Sequence, residues 1–129
     1  MRLASSLLAP AILISACAGP PPPAPAAAHD QVSAAVAAQI RRCYRMPRIP
    51  SAGRRIVTRL LVRYGPDGTL VGLPLLVRQE GVTAENQRYS GRMAEAATQA
   101  VIGCSPVSLP EEPARDSEFY LTFSPQLSA

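Results

Sequence analysis

Four consecutive prolines, Pro20–Pro23, separate a short apolar start from the rest of this 129-residue chain. Proline has no backbone N–H and favours the polyproline II conformation, so such a run is typical of neither helix nor sheet. The segment Gly19–Ala28 is therefore predicted to be an extended tether that reaches about 30 Å. The remaining residues, from Asp30 onward, are enough for one small domain.

The apolar start has the features of a bacterial signal peptide over residues 1–16. The α-amino group of Met1 and the guanidinium of Arg2 are positively charged. An apolar run of about a dozen residues follows, which is too short to span a bilayer. The run ends in Ile14-Ser15-Ala16-Cys17, which resembles a lipobox with Cys17 as the lipidated residue. Two alternatives stay open. One is cleavage by the ordinary signal peptidase after Ala18, and the other is an uncleaved anchor in which Cys17 has no role.

The candidate lipobox also predicts a location. The residue after Cys17 is Ala18 and not Asp, so the usual sorting rule for lipoproteins predicts the periplasmic side of the outer membrane. Acyl chains on Cys17 would hold the chain on the membrane without a spanning helix. The alternative cleavage after Ala18 predicts a soluble periplasmic protein.

Charge and composition disfavour several classes of function. All thirteen basic residues are arginine, and the net charge is only +4 with a pI near 9.4, which is mild for a nucleic-acid-binding protein. His29 is the single histidine, which disfavours Cys/His zinc sites and most catalytic triads. We therefore predict no catalytic residues, no metal and no cofactor, and we expect the protein not to be an enzyme.

The hydrophobic pattern predicts two helices and three strands within residues 30–126. A helix capped by Asp30 carries apolar residues on one face, namely Val32, Val36, Ile40, Cys43 and Tyr44. The other predicted elements are a strand over Arg54–Tyr64, a turn at Gly65–Gly68, a strand over Leu70–Gln79, a helix from Asn86 to Cys104 and a strand over Glu118–Phe123. The order α-β-β-α-β predicts the α+β class, with two helices packed on a small antiparallel sheet of about three strands.

Cys43 and Cys104 lie at the ends of the two predicted apolar helix faces. In an exported chain, this placement favours a structural disulfide between them. Two free buried thiols or a redox pair are the alternatives. Redox chemistry is disfavoured because the sequence has no Cys-x-x-Cys and its only histidine, His29, lies in the Pro/Ala-rich linker predicted over residues 17–29.

Arginines are concentrated on the first helix, its exit and the outer side of the first strand. The members of this predicted basic face are Arg41, Arg42, Arg45, Arg59 and Arg63. The simplest interpretation is a solvated charged surface. The alternative is a site for acidic lipid, polysaccharide or an acidic protein, in which case the affinity would fall steeply with ionic strength.

Short motifs follow one another in order along residues 30–126. They are Ile40-Arg41-Arg42-Cys43-Tyr44, Pro66-Asp67-Gly68, Ala96-Ala97, Ala100-Val101, Cys104-Ser105-Pro106, Leu109-Pro110 and Phe123-Ser124-Pro125. This succession resembles the C-terminal domain of TolA, within the TolA/TonB C-terminal superfamily. The resemblance implies a non-enzymatic domain that binds periplasmic or outer-membrane proteins of the Tol-Pal or TonB type. An accessory role in a TonB-type energy transducer is an alternative that it also implies.

Strand addition is the predicted mode of binding, in which an extended segment of a partner pairs with an open sheet edge. The predicted partner-binding strand is the last one, comprising Phe119, Tyr120, Leu121, Thr122 and Phe123. We prefer it to the second predicted strand because Pro74 lies within that strand and cannot donate to a ladder.

Overall fold

The computed structural model of the protein describes residue 19 and residues 25–110, 115–124 and 127–128. Helix α1 spans Pro25–Arg41 and helix α2 spans Ser90–Gly103. The strands, in chain order, are β1 (Val57–Tyr64), β2 (Leu75–Glu80), β3 (Ser117–Phe123) and β4 (Leu127–Ser128). Short 3-10 helices at Gly53–Arg55 and Gln87–Tyr89 precede β1 and α2.

The strands form one four-stranded antiparallel sheet in the order β2-β1-β3-β4. Residues of both helices share one hydrophobic core with the inward side chains of β1 and β3. The predicted α+β class, with the order α-β-β-α-β, is confirmed. The two-residue strand β4 adds to the predicted sheet at its end, next to β3.

The alternation of apolar and polar side chains along β1 and β3 determines which side of the sheet faces the helices. Side chains of β1 alternate between buried and more exposed positions, and so do those of β3. The core consists of inward residues of both strands and apolar residues of both helices, including Leu60, Val62, Tyr64, Phe119, Leu121, Phe123, Val36, Ile40, Ala97, Ala100 and Val101. Full burial of a large apolar side chain contributes about 1.5–3 kcal/mol, so this shared layer is the main stabilising feature of the fold.

The first helix begins earlier than predicted. Pro25–Ala28, the last part of the predicted tether, belongs to α1. Proline is tolerated in the first helical turn because the N–H that it lacks has no intrahelical acceptor there, and alanine has the highest helix propensity. The other calls on the N-terminus, the signal peptide over residues 1–16 and lipidation at Cys17, lie outside the described residues.

His29 also lies in α1 and contacts the sheet, although its sequence position suggested a linker. Its ring stacks on Phe119 with centroids 5.1 Å apart, and Nε2 donates a hydrogen bond of 2.9 Å to the carbonyl of Glu118. These contacts attach the beginning of α1 to β3. The folded domain therefore includes residues that the sequence assigned to the tether.

The second predicted strand is shorter than expected. Leu70 forms an isolated bridge with Tyr64, and β2 begins only at Leu75. Gly72, with φ +70°, interrupts the extended backbone between them. Pro74 lies before β2 and not inside it, so the prediction that this proline interrupts the edge of the second strand is wrong.

The connection between β1 and β2 turns sharply at Gly65–Gly68. The Asp67 carboxylate accepts hydrogen bonds of 3.0 Å from the backbone N–H and from the hydroxyl of Thr69, which lower the pKa of that carboxyl. Gly68 has φ +81°, and its carbonyl accepts a hydrogen bond of 2.9 Å from the N–H of Val107. Asp67 therefore acts in the turn, as its sequence position predicted, and Gly68 connects the turn to the segment after α2.

The predicted disulfide between Cys43 and Cys104 is present. Cys43 follows α1 and Cys104 follows α2, and their Cα atoms are 5.9 Å apart. That separation lies within the normal range for a disulfide. The bond joins the C-terminal ends of the two helices and closes a loop with a sequence separation of 61 residues.

Tyr64 carries a buried hydroxyl that makes no hydrogen bond among the described residues. We expect Tyr64→Phe to raise the free energy of unfolding by about 1 kcal/mol, because it removes an unsatisfied polar group and keeps the ring in place.

Burial raises the pKa of Tyr64 to about 12. Between about pH 10 and 12 the unfolded chain therefore loses a proton that the folded chain retains, and stability falls as the pH rises through that window.

Denaturant titrations of wild type and Tyr64→Phe at pH 8 and pH 11 test both expectations. The wild type should lose more stability between the two pH values than the variant does. Equal losses, or a variant less stable than wild type at pH 8, would contradict the environment assigned to this hydroxyl.

Candidate partner-binding surface

Strand β2 forms one edge of the sheet. It pairs with β1 on one side, and the described residues place no strand on its other side. The register changes between Arg59, which faces Arg78, and Leu60, which faces Leu76, so Val77 is the extra residue of a bulge. The backbone N–H and C=O groups along the outer side of β2 are therefore available to another strand.

Apolar side chains are concentrated along this edge. Of the eight exposed large hydrophobic residues in the described part of the chain, six lie between positions 71 and 82: Val71, Leu73, Leu75, Leu76, Val77 and Val82. Leu73 is 76% exposed and Leu75 is 62% exposed. A hydrophobic edge strand is a template for pairing with another chain, and soluble proteins usually protect such edges with charge, proline or a covering element.

The predicted partner-binding strand β3 occupies a different position. It lies between β1 and β4, and its residues Thr122 and Phe123 pair with β4. Phe119, Leu121 and Phe123 are buried in the core, whereas Tyr120 is 48% exposed. The part of β3 before Thr122 has no second strand beside it among the described residues, so β3 offers a shorter open edge than β2.

The sheet face opposite the helices carries paired charges. The guanidinium of Arg63 forms an ion pair with Glu118, and that hydrogen bond raises the pKa of Arg63. Arg59 lies 4.8 Å from the centroid of the Tyr120 ring, in cation–π geometry. On β2, Arg78 forms an ion pair of 3.1 Å with Glu80. A shallow depression on this face is lined by Val57, Arg59, Arg78, Glu80 and Thr122.

The residues of the predicted basic face occupy two parts of the fold. Arg59 and Arg63 lie on the outer side of β1, whereas Arg41, Arg42 and Arg45 lie at and after the end of α1. Pairing with Glu118 reduces the charge that Arg63 presents to an anion. Binding of acidic lipid or polysaccharide by these five arginines stays a prediction.

Chemistry-bearing side chains are sparse in the described ranges. Residues 25–110 and 115–124 contain no group of three or more His, Cys, Asp or Glu side chains arranged to hold a metal ion. Neither of the described α-helices has the length and hydrophobicity needed to cross a membrane. The exposed edge of β2 is thus the surface feature that calls for a functional explanation.

Three consecutive residues of the sequence carry a signal for this surface. Leu75, Leu76 and Val77 are consecutive, and alternate residues of a strand point to opposite faces. At least one of the three therefore had to point away from the core. The sequence prediction includes Pro74 in the second strand and therefore favours the last strand as the binding strand.

Comparisons with protein-family models, with curated proteins and with solved structures found no match for this chain.

Proposed function

We propose that this protein is a non-enzymatic lipoprotein of the cell envelope that binds partner proteins by strand addition at the edge of β2. The observation that carries the proposal is the run of exposed aliphatic side chains on an edge strand, above all Leu75, Leu76 and Val77. Main-chain hydrogen bonds to an added strand supply affinity, and the alternating side chains supply selectivity.

The edge favours an extended segment with apolar residues. Leu75 pairs with Leu61 of β1, so both side chains lie on the outer face of the sheet, whereas Leu76 pairs with the inward-facing Leu60. A strand added along β2 would cover apolar surface near its start and meet Arg78 and Glu80 near its end. We therefore expect the partner segment to be apolar at one end and to carry both signs of charge at the other.

The cellular setting of the proposal comes from the sequence. The Ile14-Ser15-Ala16-Cys17 motif supports lipidation at Cys17, and Ala18 supports sorting to the outer membrane. The resemblance to the TolA C-terminal domain supports partners of the Tol-Pal or TonB type. In this proposal the lipid holds the domain at the periplasmic surface of the outer membrane, where it presents β2 to those partners.

The test places a photocrosslinking amino acid at Val77 of the full chain, in the cells that make the protein. The matched control carries the same amino acid at Ile102, an exposed aliphatic position on α2. We expect adducts from position 77 that map to one extended segment of a Tol-Pal or TonB-type envelope protein. Adding Leu75→Lys should lower their yield at least about tenfold, because an edge lysine opposes strand pairing.

Three results bear on the proposal in different ways. Equal crosslinking from positions 77 and 102, or a yield unaffected by Leu75→Lys, would contradict binding at the β2 edge. The same amino acid can also be placed at Tyr120 on β3. If position 120 forms adducts and position 77 does not, the partner binds β3 and not β2. The intact mass of the membrane-extracted protein tests lipidation separately, because acyl chains on Cys17 add a defined mass to a chain that begins there.

A further inference from the structure

We infer that a second copy of this chain is one occupant of the β2 edge, paired antiparallel so that Arg78 lies opposite Glu80 of the second copy. This inference rests on the proposed function, since it assigns an occupant to the same edge. It goes further by specifying a two-fold dimer, its register and the residues that select that register.

The charges of β2 are complementary to themselves in one register. Arg78 and Glu80 lie on the same side of the strand, and Gln79 lies between them with its amide directed inward to Thr58 and to the carbonyl of Ser90. A two-fold axis at Gln79, perpendicular to the sheet, places each Arg78 opposite Glu80 of the other copy. Two ion pairs then form across the junction in addition to the contacts within each strand.

The neighbouring registers are less favourable. A slip that moves the axis to Arg78 brings the two copies of Arg78 together, and a slip that moves it to Glu80 brings the two copies of Glu80 together. Like charges directly opposite one another in a sheet are destabilising. A slip by one residue would pair Arg78 with Gln79. Residues directly opposite one another in a sheet point to the same face, but Arg78 points away from the helices and Gln79 points towards them, so this register does not form a continuous sheet.

Apolar side chains at the ends of the paired segment agree with this register. The same axis brings Leu76 of one copy towards Val82 of the other, and both side chains are about half exposed in the single chain. Strand β2 ends at Glu80, and the next residue, Gly81, has φ +75° and interrupts the extended backbone before Val82. The pairing is therefore short and centred on the charged residues, so its strength should depend strongly on them.

Self-pairing would occupy the edge that the proposed partner uses. A partner segment must then compete with the second copy, and the concentration of the protein in the membrane would influence how much edge is open. A lipid anchor would favour the encounter because it confines both copies to one surface.

Charge reversal in two differently tagged full-length chains tests the register. Co-purification of one tag with the other measures self-association. Arg78→Glu alone and Glu80→Arg alone each place like charges opposite one another in the homodimer, so each should reduce co-purification about tenfold. A mixture of one Arg78→Glu chain with one Glu80→Arg chain restores both opposite-charge contacts and should recover co-purification.

Loss in both single variants followed by recovery in the mixture is the combination that the proposed register predicts. In registers centred on Arg78 or on Glu80, wild type and both single variants would all place like charges opposite one another, so the single variants would not differ from wild type. Failure of the wild-type chain to self-associate would overturn the inference, and so would single variants that behave like wild type or a mixture that does not recover. None of these results affects the proposed partner function, which depends on the position 77 adduct and its sensitivity to Leu75→Lys. A matched pair at other exposed sites, Arg88→Glu and Glu95→Arg, should leave co-purification unchanged.

Discussion

Removal of the disulfide between Cys43 and Cys104 is expected to lower the free energy of unfolding by about 4 kcal/mol. The bond closes a loop with a sequence separation of 61 residues, and the chain-entropy relation gives this magnitude for a loop of that size. It also joins the C-terminal ends of α1 and α2, whose small and aliphatic side chains share the hydrophobic core. For a domain of about 100 residues, the loss corresponds to a decrease in Tm of about 15–30 °C.

The double variant Cys43→Ala/Cys104→Ala tests this expectation without leaving a single thiol that can mispair. Thermal unfolding is measured for the variant, for oxidised wild type and for wild type in reductant. The variant and the reduced wild type should have similar, low Tm values, and the oxidised wild type should have the highest Tm. The reduced wild type serves as the control, because it keeps both sulfur atoms and lacks only the bond. A variant that melts within a few degrees of oxidised wild type would show that the bond contributes little to folding.

Gly68→Ala is expected to have the second largest effect and to destabilise the domain by about 3 kcal/mol. Gly68 has φ +81°, a conformation that costs a residue with a side chain about 1–2 kcal/mol. A Cβ atom at this position would also collide with the carbonyl of Val107. Relief of the collision would disturb the hydrogen bond of 2.9 Å from the Val107 N–H to the Gly68 carbonyl, which adds about 1 kcal/mol to the cost.

Gly72→Ala is a matched control for this prediction. Gly72 also has a positive φ, +70°, but a Cβ atom there would meet nothing within 4 Å. We therefore expect Gly72→Ala to cost only the conformational part, about 1 kcal/mol. Denaturant titration of both variants separates the two contributions. Equal destabilisation would show that the approach of the turn to the Val107 segment is unimportant for stability.

Most of the secondary structure could be predicted because it depends on local patterns. Thr58, Leu60, Val62 and Tyr64 alternate with Arg59, Leu61 and Arg63, and this pattern indicates a half-buried strand whatever its partners are. The apolar spacing along α2 indicates a helix in the same way. The boundaries were less predictable. Pro25 is compatible with either a tether or a first helical turn, and contacts such as the one between His29 and Phe119 favour the helix.

The candidate binding surface required the tertiary structure. Strand order determines which strand has an open edge, and strand order depends on long-range pairing such as that of β1 with β3. No local pattern shows that β4 pairs with Thr122 and Phe123, or that Pro74 lies before β2 and not inside it. The sequence therefore predicts binding at β3, whereas the exposed aliphatic side chains are concentrated along β2.

The α+β class and the inward faces of β1 and α2 follow from the sequence alone, because the periodicity of apolar residues is a local property. The sequence also favours pairing of Cys43 with Cys104 but leaves two free thiols open, and the structure shows the bond. Which edge of the sheet is open, and which charges lie beside it, follows only from the tertiary fold. Both depend on the pairing of segments far apart in the chain, and the contacts that stabilise this pairing exist only once the core has formed.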